Sequence, residues 1–326
     1  MKTPPILFII FNRPDITRQV FAEIKKIRPE KFFVAADGPR PNKPEDIKNC
    51  QLARDVIQGI NWPCEVKTLF RDKNLGCKTG ISEAITWFFS HVESGIILED
   101  DCLADQSFFP YCSELLEKYK DDRRIMHISG DNFQQNNPDF HCPDSYYFSR
   151  IPQCWGWATW KRAWDLYDID ITLWPQLKAQ KKLYRVFKDG AIADRWEYLF
   201  DQGIKDHTDP LPQARLDWDG RWKFSCFAHD GLCIVPCQNL VSNIGFGSDA
   251  RIARNPNDPL ANIPAQSIEL PLKHPQKVEV NLNADIYINK YIYGINRYWS
   301  QRIQWFFKSN LPGVYSYMRR LYRSKK

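Results

Sequence analysis

The chain has 326 residues, a length that suits one large domain or one domain with a substantial extension. Hydrophobic residues make up 43% and aromatics 14%, ample for a packed core, and the net charge is a mild +6. No basic stripe runs through the main body and no nucleic-acid-binding motif is present, so no nucleic-acid partner is expected. No stretch reaches the ~20 apolar residues of a spanning helix.

Cysteines stand at positions 50, 64, 77, 102, 112, 142, 154, 226, 233 and 237, without a Cys-x-x-Cys pair. A structural zinc site is therefore not indicated, and although His229, Cys233 and Cys237 fall at four-residue spacing, the cysteines there read as buried thiols. Free thiols throughout, with an N-terminus too short to lead a secretory signal, predict a reducing cytoplasm. Lys and Arg gather after Tyr291, where the sequence ends in Met318-Arg319-Arg320-Leu321-Tyr322-Arg323 and further basic residues. Such a tail suits peripheral contact with the inner face of a membrane or with phosphate, or a solvated terminus.

In chain order, Ile6 to Phe11 is an unbroken apolar run, expected of a strand buried on both faces. Asn12-Arg13-Pro14-Asp15 breaks it, and Asp15 suits the N-cap of a helix with Val20, Phe21, Ile24 and Ile27 on one face. Phe32 to Ala36 predicts a second strand, ending at Asp37-Gly38-Pro39, and Glu45 to Gln58 a helix stopped by Gly59. Glu65 to Phe70 predicts a third strand, Asn74-Leu75-Gly76 a turn, and Thr79 to Val92 a helix. Gly95 to Leu98 predicts a fourth strand that runs into Glu99-Asp100-Asp101. A helix from Asp105 to Tyr119 and a strand from Ile125 to Ser129 follow; beyond Tyr146 the pattern is irregular and rich in Trp.

Strand and helix in alternation predict an α/β fold, an open, mostly parallel twisted sheet flanked by helices. Such sheets bind ligands beyond the carboxyl ends of their strands. Asn12-Arg13, Asp37-Gly38, Arg71 with Asn74, and Glu99-Asp100-Asp101 should converge on one crevice. Adjacent carboxylates repel and raise one another's pKa, and a divalent cation removes the problem. Hard oxygen ligands suit Mn²⁺ or Mg²⁺, completed by a substrate diphosphate; the bland reading is that the acids cap a helix or sit solvated in a turn. Asp37 suits a base or ribose, or an Asx-type turn. Arg13 suits a phosphate or base, or plain surface charge. Gly76 and Lys78 sit where a phosphate oxygen could be met, although Lys78 also reads as an exposed helix-start lysine. No Walker or dinucleotide glycine fingerprint is present, which counts against P-loop hydrolysis and hydride transfer.

The ordered segments PILFIIFNRPD, ADGPR, RDKNLGCKTGISEAI, GIILEDDC and WGWATWKRAW resemble those of GT-A glycosyltransferases. They are closest in kind to bacterial nucleotide-diphospho-sugar transferases related to the eukaryotic N-acetylglucosaminyltransferase that begins N-glycan branching. The resemblance spans roughly residues 5–250. It implies Mn²⁺ on Asp101, with Glu99 and Asp100 as further candidates, Asp100 beside the ribose, Asp37 on the base, and Arg13 near the nucleotide. It implies a loop beside donor sugar and acceptor at Trp155-Gly156-Trp157, and a catalytic base at Asp219, with Asp217 in reserve. It also implies a closing loop at Asn239 to Gly247; Arg251 stands in the region where the family often carries a histidine.

The expected activity is metal-dependent transfer of a sugar from a nucleotide-diphosphate donor, UDP-linked, to an acceptor hydroxyl of a saccharide or lipid-linked saccharide. A single base opposite the leaving group predicts inversion. Trp155, Trp157 and Trp218 suit sugar stacking or the core. Residues 1–283 form the expected transferase domain, with a nucleotide half to about 130 and an acceptor half beyond it, and residues 284–326 a basic aromatic helical extension. Two readings compete. One is a sugar-nucleotide hydrolase or nucleotidyltransferase, which the glycine-free loop after the first strand disfavours. The other is a nucleotide-sugar-binding peripheral membrane protein without activity, which the intact acids disfavour.

Overall fold

Ile6–Ile10 form β1, and all five residues are buried. Alternation along the strand sends Ile6, Phe8 and Ile10 into one core, and Leu7 and Ile9 into another on the opposite face. The computed structural model describes residues 3–205, 216–247, 258, 260, 261 and 263–295. Arg251 and the basic aromatic tail past residue 295 lie outside the described residues.

After β1 come α1 (Pro14–Ile27), β2 (Lys31–Ala36), α2 (Pro44–Asp55), β3 (Glu65–Phe70), α3 (Gly76–Phe89) and β4 (Ser94–Glu99). Then follow β5 (Cys102–Ala104), α4 (Phe108–Lys118), β6 (Ile125–Ser129), β7 (Tyr146–Ser149) and β8 (Trp157–Trp160). Helices α5 (Lys161–Trp164), α6 (Trp174–Ala179), α7 (Lys182–Phe187), α8 (Gly190–Lys205) and α9 (Trp218–Ala228) lead to β9 (Leu232–Pro236), β10 (Val241–Asn243) and α10 (Leu282–Tyr287).

Among the described residues, eight strands form one sheet in the order β3-β2-β1-β4-β8-β6-β9-β7, while β10 and β5 pair as a separate ribbon. β1 runs parallel to β2 and β4, β2 to β3, and β6 to β9. β8 opposes both β4 and β6, and β7 opposes β9. The result is the expected mostly parallel sheet flanked by helices, consistent with a GT-A-like, Rossmann-like fold. Val20, Phe21 and Ile24 of α1 and Phe108 and Leu115 of α4 cover one face. Ile81, Ile85 and Phe88 of α3 and Trp222 of α9 cover the other. A third core joins α6 to α9 around Trp174, Trp196 and Phe200.

Several predicted boundaries move, each for a local reason. α1 starts at Pro14, whose fixed φ suits a first helical position, and Asp15 lies inside the first turn against Arg18 rather than capping it. α2 ends at Asp55 and tightens into a 3₁₀ turn, Val56–Gly59. α3 starts at Gly76, three residues before the predicted Thr79, because Asp37 on another strand accepts its first backbone N–H groups. Asp105 binds Ser107 through both its N–H and its hydroxyl, which delays α4 to Phe108.

The expectation of free thiols throughout fails at one pair: Cys142 and Cys237 form a disulfide, with Cα atoms 5.9 Å apart. The inference from cysteine usage to a reducing compartment loses that premise. Cys233 is a buried free thiol, as read. No helix among the described residues is long and apolar enough to cross a membrane. The described start of the C-terminal segment is seated on the main body. Asp285 accepts hydrogen bonds from Ser149 Oγ and Arg150 N, Asn289 accepts one from Trp196 Nε1, and Ile288 and Ile295 join the third core.

Candidate active site at the strand tips

The tips of β1 and β4 meet through one arginine. Arg13 precedes α1, and its carbonyl accepts the Thr17 N–H at 2.9 Å and the Thr17 hydroxyl at 2.7 Å, so the backbone commits to the helix. Its guanidinium turns back to β4, where Nη2 bonds both Asp100 Oδ1 and, at 2.9 Å, Asp101 Oδ2. The other Asp100 oxygen accepts the Phe11 N–H at 3.3 Å. Burial pushes the Asp100 carboxyl up and Arg13 pulls it back, leaving it at about 6. Glu99 is driven well above the carboxylate range by burial and by the charges of Asp101 and Asp100. Burial works against the Arg13 charge, but Asp100 and Asp101 outweigh it and keep the guanidinium protonated.

Asp100 and Asp101 share a single guanidinium here, so negative charge is left over once both are ionised. Asp100 is spent on Arg13 and Phe11, whereas among the described residues Asp101 Oδ1 meets only the Cys102 thiol, at 3.7 Å. Gly245 packs directly against the acids and has no room for a side chain: a Cβ there would come within 2.3 Å of Asp101 Oδ2 and 2.6 Å of Arg13 Nη1. Gly245 is held over the acids because Ile244 N–H donates to Asp101 O at 2.9 Å and Asn243 pairs with Cys102 in the β10–β5 ribbon. No group of three or more His, Cys, Asp or Glu side chains that could hold an ion occurs among the described residues. A donor set of one carboxylate fits a hard cation that takes its remaining ligands from a diphosphate and water.

Asp37 and its neighbours make a second nest. Asp37 Oδ1 accepts the N–H groups of Gly38 and Leu75, and Oδ2 those of Leu75 and Gly76, all at 3.0 Å. Asn74 Nδ2 donates to Gly38 O at 2.9 Å, and Gly76 takes the left-handed φ of 75° that the turn into α3 needs. Arg71 turns away to Gly80 O and Glu83. Lys78 lies 3.8 Å from Asp170.

A third network, on the other side of β1, was not anticipated as a unit. Asn12 Nδ2 donates to Asp46 Oδ1 at 2.7 Å, and Arg40 grips both oxygens of the same fully buried carboxylate. The signal was present as Arg40 in the ADGPR segment; its partner, Asp46, sat unremarked in a predicted helix.

Asp219 lies in the first turn of α9 and pairs with Lys223 one turn on, at 2.6 Å. The Lys223 side chain is 7% exposed and that of Asp219 is 42% exposed. Burial pushes Asp219 up, but the Lys223 ammonium and its hydrogen bond outweigh it and hold the carboxyl below the usual range. The charge of Asp219 is felt at Glu99, so the α9 acid stands within electrostatic reach of the β4 tip. Asp217 precedes α9, and its carbonyl accepts the Arg221 N–H. Lys223 was missed because a lysine on a helix normally reads as solvated.

The tryptophans divide. Trp157 and Trp218 are core residues at 1% and 4% exposure, stacked on one another, with Trp157 also stacked on His127. Burial drops His127 to about 3, so it stays neutral and accepts the Trp222 indole N–H on Nδ1. Trp155 is only partly buried and meets Phe246 edge-on at 5.7 Å. Gly156 between them has φ 66°, and its carbonyl accepts the Gly130 N–H at 2.7 Å.

No family model and no curated protein matches the chain. Among solved structures it is similar to a cytidylyltransferase from Leptospira borgpetersenii serovar Hardjo-bovis, at 12% identity and TM-score 0.30, covering 51% of this chain and 63% of that one. It is similar to 4-diphosphocytidyl-2C-methyl-D-erythritol synthase from Anaerococcus prevotii, at 8% identity and TM-score 0.31, covering 71% and 88%. It is also similar to apo mouse xyloside xylosyltransferase 1, at 11% identity and TM-score 0.32, covering 71% and 84%. At such scores these likenesses carry no chemistry across, and the fold stated above rests on the chain's own topology.

Proposed function

We propose that the chain is a glycosyltransferase that moves a sugar from a nucleotide-diphosphate donor, UDP-linked, to an acceptor hydroxyl, with inversion. The observation that carries this reading is the Arg13 guanidinium bridging Asp100 and Asp101 at the β4 tip, beneath the closely packed Gly245 and within electrostatic reach of Asp219. Acids in excess of their one cationic partner suit a cation that arrives with a diphosphate. Mn²⁺ or Mg²⁺, held through Asp101, would supply charge neutralisation for the departing diphosphate.

The chain's own residues divide the remaining work. Asp219, kept ionised by Lys223, accepts the proton of the acceptor hydroxyl as that oxygen bonds to the anomeric carbon and the bond to the diphosphate breaks. Arg13 sits within reach of the phosphate oxygens and holds Asp100 in place. Trp155 and the Asn239 to Gly247 loop cover the sugar and limit water. The glycine-free loop after β1 speaks against a nucleotidyltransferase on the same sheet.

The test is UDP binding with and without Mn²⁺. Mn²⁺ should enhance binding to the native protein, and Asp101→Ala should abolish the enhancement; equal binding in all cases would remove the metal role. Asp219→Asn should keep donor affinity and lose about 10²–10⁴-fold in transfer. Native-rate transfer by that variant would place the base elsewhere.

A further inference from the structure

A nucleotide needs its base held as well as its diphosphate, and Asp37 is badly placed to do this. Its two oxygens already accept four contacts from three backbone N–H groups, all at 3.0 Å. It fastens the β2 tip to the start of α3 and has little capacity left for a ligand.

Arg40, three residues on, has the opposite character. Its side chain is 45% exposed, yet it is fixed from several directions. Nε donates to Asp46 Oδ2 at 2.6 Å and Nη2 to Asp46 Oδ1 at 2.9 Å, a two-pronged grip, and its backbone N–H reaches the same carboxylate at 3.2 Å. Asp46 is itself wholly buried and is steadied by Asn12 Nδ2 at 2.7 Å. The guanidinium carbon lies 5.4 Å from the centre of the Phe11 ring. An exposed arginine normally samples many rotamers; this one has given up that freedom before any ligand arrives. Phe11 is joined to the acid cluster through its N–H on Asp100, and Arg13 follows two residues later. A rigid cationic plane therefore stands beside the position proposed for the diphosphate.

We infer that Arg40 is a specificity-determining residue, the platform on which the nucleobase of the donor stacks, with Phe11 backing the guanidinium and Asp46 locking it. This rests on the reading of the cleft as a nucleotide-diphosphate site. A guanidinium plane attracts any base face, and its remaining N–H groups favour a base that offers a carbonyl oxygen.

The experiment is calorimetric titration of the full chain with UDP and, separately, with inorganic pyrophosphate, both in Mn²⁺. Arg40→Lys retains a cation for the buried Asp46 and so protects the fold, but it removes the plane. UDP should then bind about tenfold more weakly, with pyrophosphate unchanged. Phe11→Leu keeps apolar volume under Arg40 and should weaken UDP about threefold, again sparing pyrophosphate. Unchanged UDP affinity in both variants overturns the platform, as does an equal loss for pyrophosphate, which would make Arg40 a general charge. If the native protein binds neither probe, the nucleotide reading of the cleft fails first and the platform falls with it.

Discussion

The strand tips around β1, β2 and β4 and the interior beside β6 and β8 hold their polar groups in different ways. Around β1, β2 and β4, the carboxylates of Asp37, Asp46 and Asp100 each accept two or more hydrogen bonds, from loop N–H groups, Asn12, Arg13 or Arg40. Around β6 and β8, Asp131 is 1% exposed, and among the described residues neither of its oxygens, neither end of the Gln153 amide and not the Trp157 indole N–H has a partner at hydrogen-bond geometry. Burial drives Asp131 up to about 8, against the pull of nearby backbone N–H groups and Lys223, so it is mostly a neutral acid at pH 7. The first region arranges fixed charges that a charged ligand can use. The second region is an aromatic mass with unmet hydrogen-bonding capacity, where protonation sets the cost of folding.

Trp222 is the largest lever on that contrast. It is 0% exposed, stacks among Trp157, Trp164 and Tyr167, and donates to His127. Trp222→Ala should cost about 3–5 kcal/mol in denaturant melts, far more than any single change at the strand tips. A loss under ~1 kcal/mol would mean that the aromatic region is not the stabilising one.

Gly156→Ala should come next. A side chain there meets Val241 Cγ2 at 2.8 Å and occupies a backbone with φ 66°. Strain and overpacking together should cost roughly 2–4 kcal/mol, seen as a lower melting temperature. Melting at the native temperature would show that the Trp155 loop yields easily.

Asp131 offers a pH test. Its folded pKa, about 8, lies above the ordinary 3.8, so its contribution is fully present in acid and is lost as pH rises between those values. Asp131→Asn should remove that slope and gain at least about 1 kcal/mol relative to the native chain between pH 5 and pH 8. Parallel stability curves for the two proteins would mean that Asp131 is hydrated or paired.

The smallest effect is expected at Lys223. Lys223→Met removes the ammonium that holds Asp219 low, so the acid limb of the transfer rate should move to higher pH while UDP affinity stays put. An unmoved limb would show that Asp219 does not report on the rate-limiting proton transfer.

The contrast also explains which parts of the molecule were legible. β1, β2 and β4 were readable because a strand buried on both faces must be an apolar run between polar breaks, and Asp37 and Glu99 to Asp101 stand at those breaks. The start of α3 was misjudged because its cap comes from Asp37, far off in sequence. β7 to β10 escaped notice because they are three to five residues long and their pairing is set by partners far off in sequence, as in the pairing of Asn243 with Cys102. Arg40 and Lys223 were invisible for a related reason: each gains its meaning only from the acid it meets, a buried Asp46 for Arg40 and, for the buried Lys223, Asp219 one turn before it.

The Cys142–Cys237 link has a topological result. It joins residues 95 apart and so encloses the Trp155 loop, α5 to α9 and Asp219 within a single covalent ring. On a chain-entropy view, a closure of that size removes about 4–5 kcal/mol of freedom from the unfolded chain. The aromatic region is belted: even when its packing melts, its tryptophans and Asp219 stay on a short tether, and a reducing agent would release that region without cutting any bond in the parallel strands.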